Sequence, residues 1–405
     1  MKTKLVRGWQ MMKISDIAMS VSAGGTPSRD KKEYWIRGDI NWLKISDMKF
    51  TYISTTEEKI TKLGLENSSA KIFPRGTVVY SIFATLGAVG ILNVESATNQ
   101  AIAGIIPKKE IIDTKYLYYC LRSERDKIIS KKSHATQDNL NLSILRNHEI
   151  PVPPIDIQQK IVSILEKAEK LKDLRMEADK LTKDFLKAMF LDMFGDPAIN
   201  PKNFPFLLLE SIFSQKKDGV KCGPFGSALK KDEYVDSGIP VWTMDNIHEN
   251  KFEPENCLFI PNKKYEKLMS YSVDADDIII SRAGTVGKMC VVHPNVTKSI
   301  ISTNLIRLSL DSKKILPIYF TSLMTYCKGR IGKLETGADG SYTFMNTGVL
   351  SRLQIPLPPI ELQNQFDFIV RQVEQLIKYQ KQSKENIDNF FNDLMYKSFK
   401  GESVC

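Results

Sequence analysis

The sequence predicts an α+β fold: two repeated, mixed α/β domains joined by two long antiparallel coiled-coil helices, related by a pseudo-twofold. Three observations lead there. One unusual phrase is written twice, IPVPPIDIQQ at 150–159 and IPLPPIELQN at 355–364, with six of the ten positions identical. Each copy opens a long stretch without Gly or Pro, Ile155 to Phe194 and Ile360 to Lys400. Before each copy, short apolar runs and Gly-containing turns recur in the same order.

Taken in order, residues 1–152 form the first globular domain, 153–196 a long helix, 197–357 the second globular domain, and 358–405 a second long helix. Within the domains, GDINWLKISDM (38–48) aligns with SGIPVWTMDNI (237–247). VVYS (78–81) and IIIS (278–281) read as short buried strands. SIFATLGAVGIL (81–92) aligns with SRAGTVGKMCVV (281–292), with Gly87-Ala88-Val89-Gly90 matched to Gly284-Thr285-Val286-Gly287 and extra residues in the first copy. TKYLYYCLRSERDKIISKK (114–132) is helix-like, and DNLNLSIL (138–145) faces YTFMNTGVL (342–350) just before each phrase.

The Pro-Pro of each phrase ends a strand and suits a helix start. Asp156 and Glu361 then fall in the first turn, where the helix dipole favours negative charge. The apolar period of the helices is near 3.5. Ile164, Leu171, Ala178 and Phe185 form one ladder in the first, with Ala168 and Met189 between. Phe366, Val373, Ile387 and Leu394 form one in the second, alongside Val370, Ile377 and Phe391. Arg175, Gln380 and Lys384 break these rows, and Arg175 and Gln380 are suited to fixing register.

A chain of 405 residues exceeds one ordinary domain, and 42% hydrophobic residues supports folded cores. No apolar run approaches a membrane span, and the basic start lacks a signal-like apolar stretch, so a cytoplasmic chain with no membrane partner is expected. The six cysteines are scattered without C-x-x-C spacing, as idle thiols of a reducing compartment. Of the net charge of +10, residues 1–150 carry 23 basic against 15 acidic groups (+8) and residues 199–355 carry 20 against 16 (+4). The helical stretches are close to neutral. Positive charge confined to the globular parts permits a polyanionic partner.

Catalytic motifs are missing. GTVGK (284–288) is too short for a phosphate loop and reads as a strand-to-strand turn in which Gly supplies positive φ. There is no glycine-rich cofactor fingerprint, no Asn/Asp-Pro-Pro-aromatic methyltransferase motif and no G-x-S-x-G elbow. The four histidines are isolated. Binding features are better represented. GGTPSRDKK (24–32) and CGPFGSALKKDEY (222–234) combine Gly, small hydroxyls and basic groups near the start of each domain, the chemistry that positions phosphates and reads base edges.

GGTPS, CGPFGSALKKDEY, SRAGTVGK and the twofold I-P-[VL]-P-P-I-[DE]-[IL]-Q before a long helix resemble the specificity subunit of type I restriction-modification systems. The resemblance covers essentially the whole chain. It implies two target recognition domains, each reading half of a bipartite, asymmetric double-stranded DNA site, with the helix pair fixing the spacer. It implies two docked methyltransferase subunits that use S-adenosylmethionine, and restriction subunits that join with ATP and Mg. This chain itself would hold no cofactor and no metal and would not be an enzyme. The DNA-facing residues it implies are Thr26, Ser28, Arg29, Lys44, Ser46, Thr85, Gln137 and Asn139 in the first domain. In the second they are Phe225, Ser227, Lys230, Lys231, Thr243, Asn246, Arg282, Thr285, Lys288 and Tyr342. The competing readings are a solitary DNA methyltransferase, opposed by the missing motifs, and a scaffold that binds no nucleic acid, opposed by the placement of charge.

Overall fold

The computed structural model describes residues 7–131, 140–225, 228–248, 251–330 and 345–402. Gln137, Asn139, Ser227 and Tyr342 lie outside the described residues. The chain divides into two units, Met1–Met176 with Lys381–Cys405, and Glu177–Gln380. Each unit therefore takes a share of both long helices, Ile155–Phe194 and Ile360–Lys400.

In the first unit a five-stranded sheet runs in the order Ala18–Ala23, Ile102–Pro107, Val78–Ser81, Val89–Leu92, Tyr52–Ile53. A four-stranded sheet runs Glu58–Ile60, Ile40–Leu43, Ser96–Thr98, Ile72–Phe73. Val78 to Ser81 is buried at every position, which is why it reads as a continuous apolar run and not as an alternation. Val78 and Tyr80 enter one core and Val79 another. The larger core also gathers Tyr116, Leu117 and Leu121 of the helix Thr114–Ser123, capped by Asp113. Ile161, Leu165 and Ala168 of the first long helix join it, as do Phe391, Met395 and Phe399 of the second.

The second unit repeats this plan. One sheet runs Val220–Cys222, Leu305–Leu308, Ile278–Ser281, Met289–Val291, and another Leu258–Ile260, Ile239–Trp242, Ile300–Ile301. Even the one parallel pairing within the smaller sheet recurs, Trp42 with Ala97 in the first unit and Val241 with Ile300 in the second. The helix Pro317–Tyr326 packs Tyr319 and Phe320 against Phe190 and Phe194 of the first long helix and Phe366 of the second.

The doubled phrase does the same job in both units. Its first half is a strand, Glu149–Val152 paired with Gln10–Lys13, or Gln354–Pro356 paired with Phe206–Leu208. The strand ends at the Pro-Pro step, and the carbonyls around it take side-chain donors. Tyr116 Oη donates to the Pro151 carbonyl at 2.8 Å, and Tyr319 Oη to the Pro356 carbonyl at 2.7 Å. Gln158 is fully buried. Its Oε1 accepts the Asp113 N–H at 2.8 Å, and its Nε2 donates to the carbonyls of Ile111 (2.9 Å) and Pro153 (2.8 Å). Gln363 is equally buried and repeats the set: Oε1 takes the Leu316 N–H at 2.8 Å, and Nε2 reaches Lys314 (3.1 Å) and Pro358 (2.9 Å). One amide thus fastens the start of a long helix to the loop that opens the domain's own helix.

Within each unit the two long helices run antiparallel. In the first, Lys172 Nζ pairs with Asp388 at 2.7 Å and lies over the Phe391 ring. In the second, Phe194 meets Phe366, and Gln380 Nε2 donates to Thr182 Oγ1 at 2.9 Å, so the polar break at Gln380 is satisfied inside the seam. The ladder expected on the second helix lines this seam through Phe366, Val370, Val373 and Phe391. The ladder expected on the first helix is corrected. Leu171 and Phe185 are 48% and 46% exposed, while Ile161, Leu165, Ala168, Thr182, Phe190 and Phe194 are buried. Both rows have the same period, and periodicity alone does not say which of two adjacent apolar rows faces inward.

Gln158→Ala and Gln363→Ala are each expected to cost about 2–4 kcal/mol in urea unfolding, because each removes a buried amide and leaves its three backbone partners, one buried and two partly buried, without it. The exposed neighbours give the control: Gln159→Ala and Asn364→Ala should stay within about 0.5 kcal/mol of the parent.

Candidate nucleic-acid interface

Four loops converge at one end of each unit, joined by the same backbone hydrogen bonds. In the first unit Gly24 N–H donates to Ile102, Asn99 N–H to Leu43, and Ile82 N–H to Ala101. In the second Gly223 N–H donates to Leu305, Ser302 N–H to Trp242, and Arg282 N–H to Asn304. These bonds bring together loops 24–29, 44–47, 82–88 and 99–101 in one unit, and 223–225 with 228–230, 243–246, 282–288 and 302–304 in the other. Close approach, more than flexibility, demands glycine at the first loop. A Cβ on Gly24 would lie 2.0 Å from the Thr98 carbonyl oxygen, and one on Gly223 would lie 1.9 Å from that of Ser302.

The third loop is latched by a serine hydroxyl. Ser81 Oγ donates to the Thr85 carbonyl and accepts the Ala88 N–H at 2.8 Å. Ser281 Oγ donates to the Thr285 carbonyl at 2.6 Å and accepts the Lys288 N–H at 3.0 Å. The backbone is left-handed at Ala84 (φ 54°) and Gly87 (φ 80°), and at Gly284 (φ 65°) and Gly287 (φ 81°). The loops therefore correspond residue for residue: Thr85 to Thr285, Gly87 to Gly287 and Ala88 to Lys288. The expected match of Gly87-Ala88-Val89-Gly90 to Gly284-Thr285-Val286-Gly287, and the extra residues it required, are corrected. Ala84 tolerates a backbone that Gly284 adopts freely, and that hid the register. The GTVGK segment is the strand-to-strand turn expected, between antiparallel Ile278–Ser281 and Met289–Val291.

Of the residues expected at DNA, Ser28, Ser46 and Thr85 are exposed on these loops, and so are Phe225 (65%), Thr285 and Lys288. Thr26, Thr243 and Arg282 are half-buried there. The Arg282 guanidinium lies 5.9 Å from the Phe225 ring centroid. Lys230 and Lys231 are exposed beside the buried anchor Leu229. Asn246 departs from the expectation. It is fully buried, its Oδ1 accepts the Thr243 N–H at 2.8 Å, and its Nδ2 donates to the carbonyls of Glu253 and Glu255. Every polar atom of its side chain is engaged in holding the second loop, as Asp47 holds the same loop in the first unit by accepting the Lys44 N–H.

Arg29 and Lys44 are on the loops but already paired. Arg29 contacts Glu58 at 2.7 Å and stacks 3.7 Å from the Trp35 ring centroid. Lys44 Nζ reaches both Glu57 and Glu58 at 2.9 Å. Partial burial opposes ionisation of Glu58, but hydrogen bonds from Lys44 and Arg29 outweigh it and hold its carboxyl below the ordinary glutamate range. Hydrogen bonds to Glu57 and Glu58 in turn raise the Lys44 ammonium above its usual value. Gln100 was missed by sequence reading. It is exposed, and its Oε1 accepts from Thr26 Oγ1. Its one sequence signal is a place between two strands that recur in both halves. Among the described residues no His, Cys, Asp and Glu cluster suited to a metal ion occurs.

Because the Glu58 carboxyl titrates lower in the folded state, the stability it supplies is full above the unfolded glutamate pKa of about 4.3. It is lost as pH falls through the folded value. Glu58→Gln is therefore expected to lower stability at neutral pH by about 1 kcal/mol, and the gap from the parent should narrow as the pH is lowered below the unfolded glutamate value. Urea unfolding at neutral pH and through the acid range measures both.

The model of the type I restriction modification DNA specificity domain matches the chain twice, at residues 6–181 and 224–389. The MjaIX type I restriction enzyme specificity subunit of Methanocaldococcus jannaschii is 33% identical over 255 residues, 61% of this chain and 56% of that one. The EcoR124I/EcoR124II specificity subunit of Escherichia coli is 32% identical over 154 residues, 36% of this chain and 38% of that one. The matched region thus spans about half or less of the length of these relatives. In fold, the chain resembles the HsdS subunit of Thermoanaerobacter tengcongensis (TM-score 0.52, 17% identity, 99% of both chains covered). It also resembles a chain from a structural study of complex assembly in the type I R-M system (TM-score 0.68, 18% identity, 98% and 99% covered). With two copies of that domain accounting for most of its length, the chain belongs to the type I restriction modification DNA specificity domain family.

Proposed function

We propose that this chain is the non-catalytic specificity subunit of a type I restriction-modification complex, and that each unit reads one half of a split, asymmetric site in double-stranded DNA. One observation carries the reading. Both units close the same four loops with the same backbone bonds, yet present different side chains on them. A fixed scaffold with exchanged contact residues suits two different half-sites, because base edges are read by side chains while the backbone only positions them.

The rest of the complex follows from this role. Two methyltransferase subunits dock on the chain and bring S-adenosylmethionine, and they carry out adenine flipping and methylation. Restriction subunits bring ATP and Mg chemistry, and the assembly works in the cytoplasm. The long helices, 40 and 41 residues, set the spacer between half-sites. At 1.5 Å per residue each is about 60 Å long, close to two turns of DNA.

The test is the methylome of a methylation-deficient host that carries this gene with its adjacent methyltransferase gene, against the same host with the methyltransferase alone. N6-methyladenine at a split motif, present only with this chain, is the expected result. An assembled, intact complex that adds no methylation would overturn the reading in favour of a scaffold.

A further inference from the structure

The two loop ends differ in charge in a way that position-by-position comparison makes explicit. Strand register pairs Trp42 with Glu58 in the first unit and Val241 with Leu258 in the second, so Glu58 corresponds to Leu258 and Glu57 to Cys257. The second loops are held through the N–H of Lys44 and of Thr243, which makes those two equivalent. Counted from Gly24 and Gly223 along segments of equal length, Arg29 corresponds to Ala228. The whole ion cluster of Arg29, Lys44, Glu57 and Glu58 is thus replaced by uncharged residues in the second unit. The third loop shows the reverse. Ile82 and Ala88 in the first unit stand where Arg282 and Lys288 stand in the second. Among the described residues, neither Arg282 nor Lys288 has a carboxylate within salt-bridge distance.

We propose that the two units read their half-sites with different chemistry: the second through the Arg282 guanidinium directed at guanine, the first through the Thr26–Gln100 pair directed at adenine, with Arg29 and Lys44 committed to the protein. This rests on the DNA-reading role proposed above. Arg29 and Lys44 cannot reach DNA without abandoning Glu57 and Glu58, and those carboxylates would then face the phosphates. Arg29 is further held over the rings of Trp35 and Trp42. Beside the exposed hydroxyls of Ser28, Ser46 and Thr85, the first unit presents one exposed amide at the loop end, that of Gln100. Gln100 is fixed on one side by Thr26 and keeps its Nε2 hydrogens and one oxygen lone pair. That is the donor and acceptor set that matches N7 and N6 of adenine. In the second unit the position is Thr303, flanked by the Ser302 and Asn304 backbone bonds, and the adjacent charge is Arg282, held against Phe225. Guanidinium to O6 and N7 of guanine is the matching contact.

The experiment is selection of the full chain on a pool of randomised duplexes, followed by sequencing of the bound fraction. Wild type should enrich a split site. Gln100→Ala should reduce preference at one A·T pair of one half roughly tenfold, leaving the other half intact. Gln100→Glu should move that preference toward a C·G pair, since a carboxylate accepts from cytosine N4. Arg282→Ala should loosen a G·C pair in the other half, and Lys44→Gln should leave the enriched sequence unchanged. If wild type enriches a split site but Gln100→Ala leaves it unaltered, or Lys44→Gln in a folded chain erases a base preference, the inference is overturned and the DNA-reading role stands. If wild type enriches nothing, the DNA-reading role fails and the inference falls with it.

Discussion

The buried amides of Gln158 and Gln363 each tie together three backbone groups. Each amide joins the first turn of a long helix to the loop that starts the helix inside the globular domain. The strands end at the Pro-Pro step, and the carbonyls around that turn take side-chain donors. The glutamine and the tyrosine beneath it, Tyr116 or Tyr319, supply them. With that joint closed, the direction in which the long helix leaves its domain is fixed by hydrogen bonds and not by loop preference. The same joint made twice explains why one chain carries one phrase at two places.

Beyond the joint, the units divide their residues into two kinds. Ser81 and Ser281, Gly24 and Gly223, and the paired backbone bonds of the four loops are framework, and they recur with nearly unchanged geometry. Side chains carried on the loops share little, as Lys288 against Ala88 and Thr303 against Gln100 illustrate. A loop whose shape is set by its own backbone and one buried hydroxyl leaves its outward residues free of structural duty. Such a loop end can change its reading surface without refolding.

Much of this was legible in the sequence, for reasons that are physical. The repeat, the long helices and their N-terminal acids follow from proline, glycine and apolar period, which act locally. The second helix's seam was legible because its apolar residues form one dominant row. The first helix carries two adjacent rows, and only packing decides that Phe190 turns inward and Phe185 outward. The third loop was misaligned because glycine was used as the marker, whereas Ala84 takes the left-handed backbone that Gly284 takes. Arg29 and Lys44 looked like free cations because Glu57 and Glu58 reach them only through the pairing of Glu58–Ile60 with Ile40–Leu43. Asn246 looked like a base reader because its burial depends on carbonyls of Glu253 and Glu255, which residue type alone does not reveal.

The central claim is that each unit engages its own half of one DNA site with a structurally repeated loop end. A hydroxyl-radical footprint of the chain on a duplex carrying its site tests that most directly. Two protected patches are expected, separated by an accessible centre, and scrambling one half of the sequence should erase one patch while the other persists. A single continuous block of protection, or protection indifferent to the scrambled half, would contradict the account.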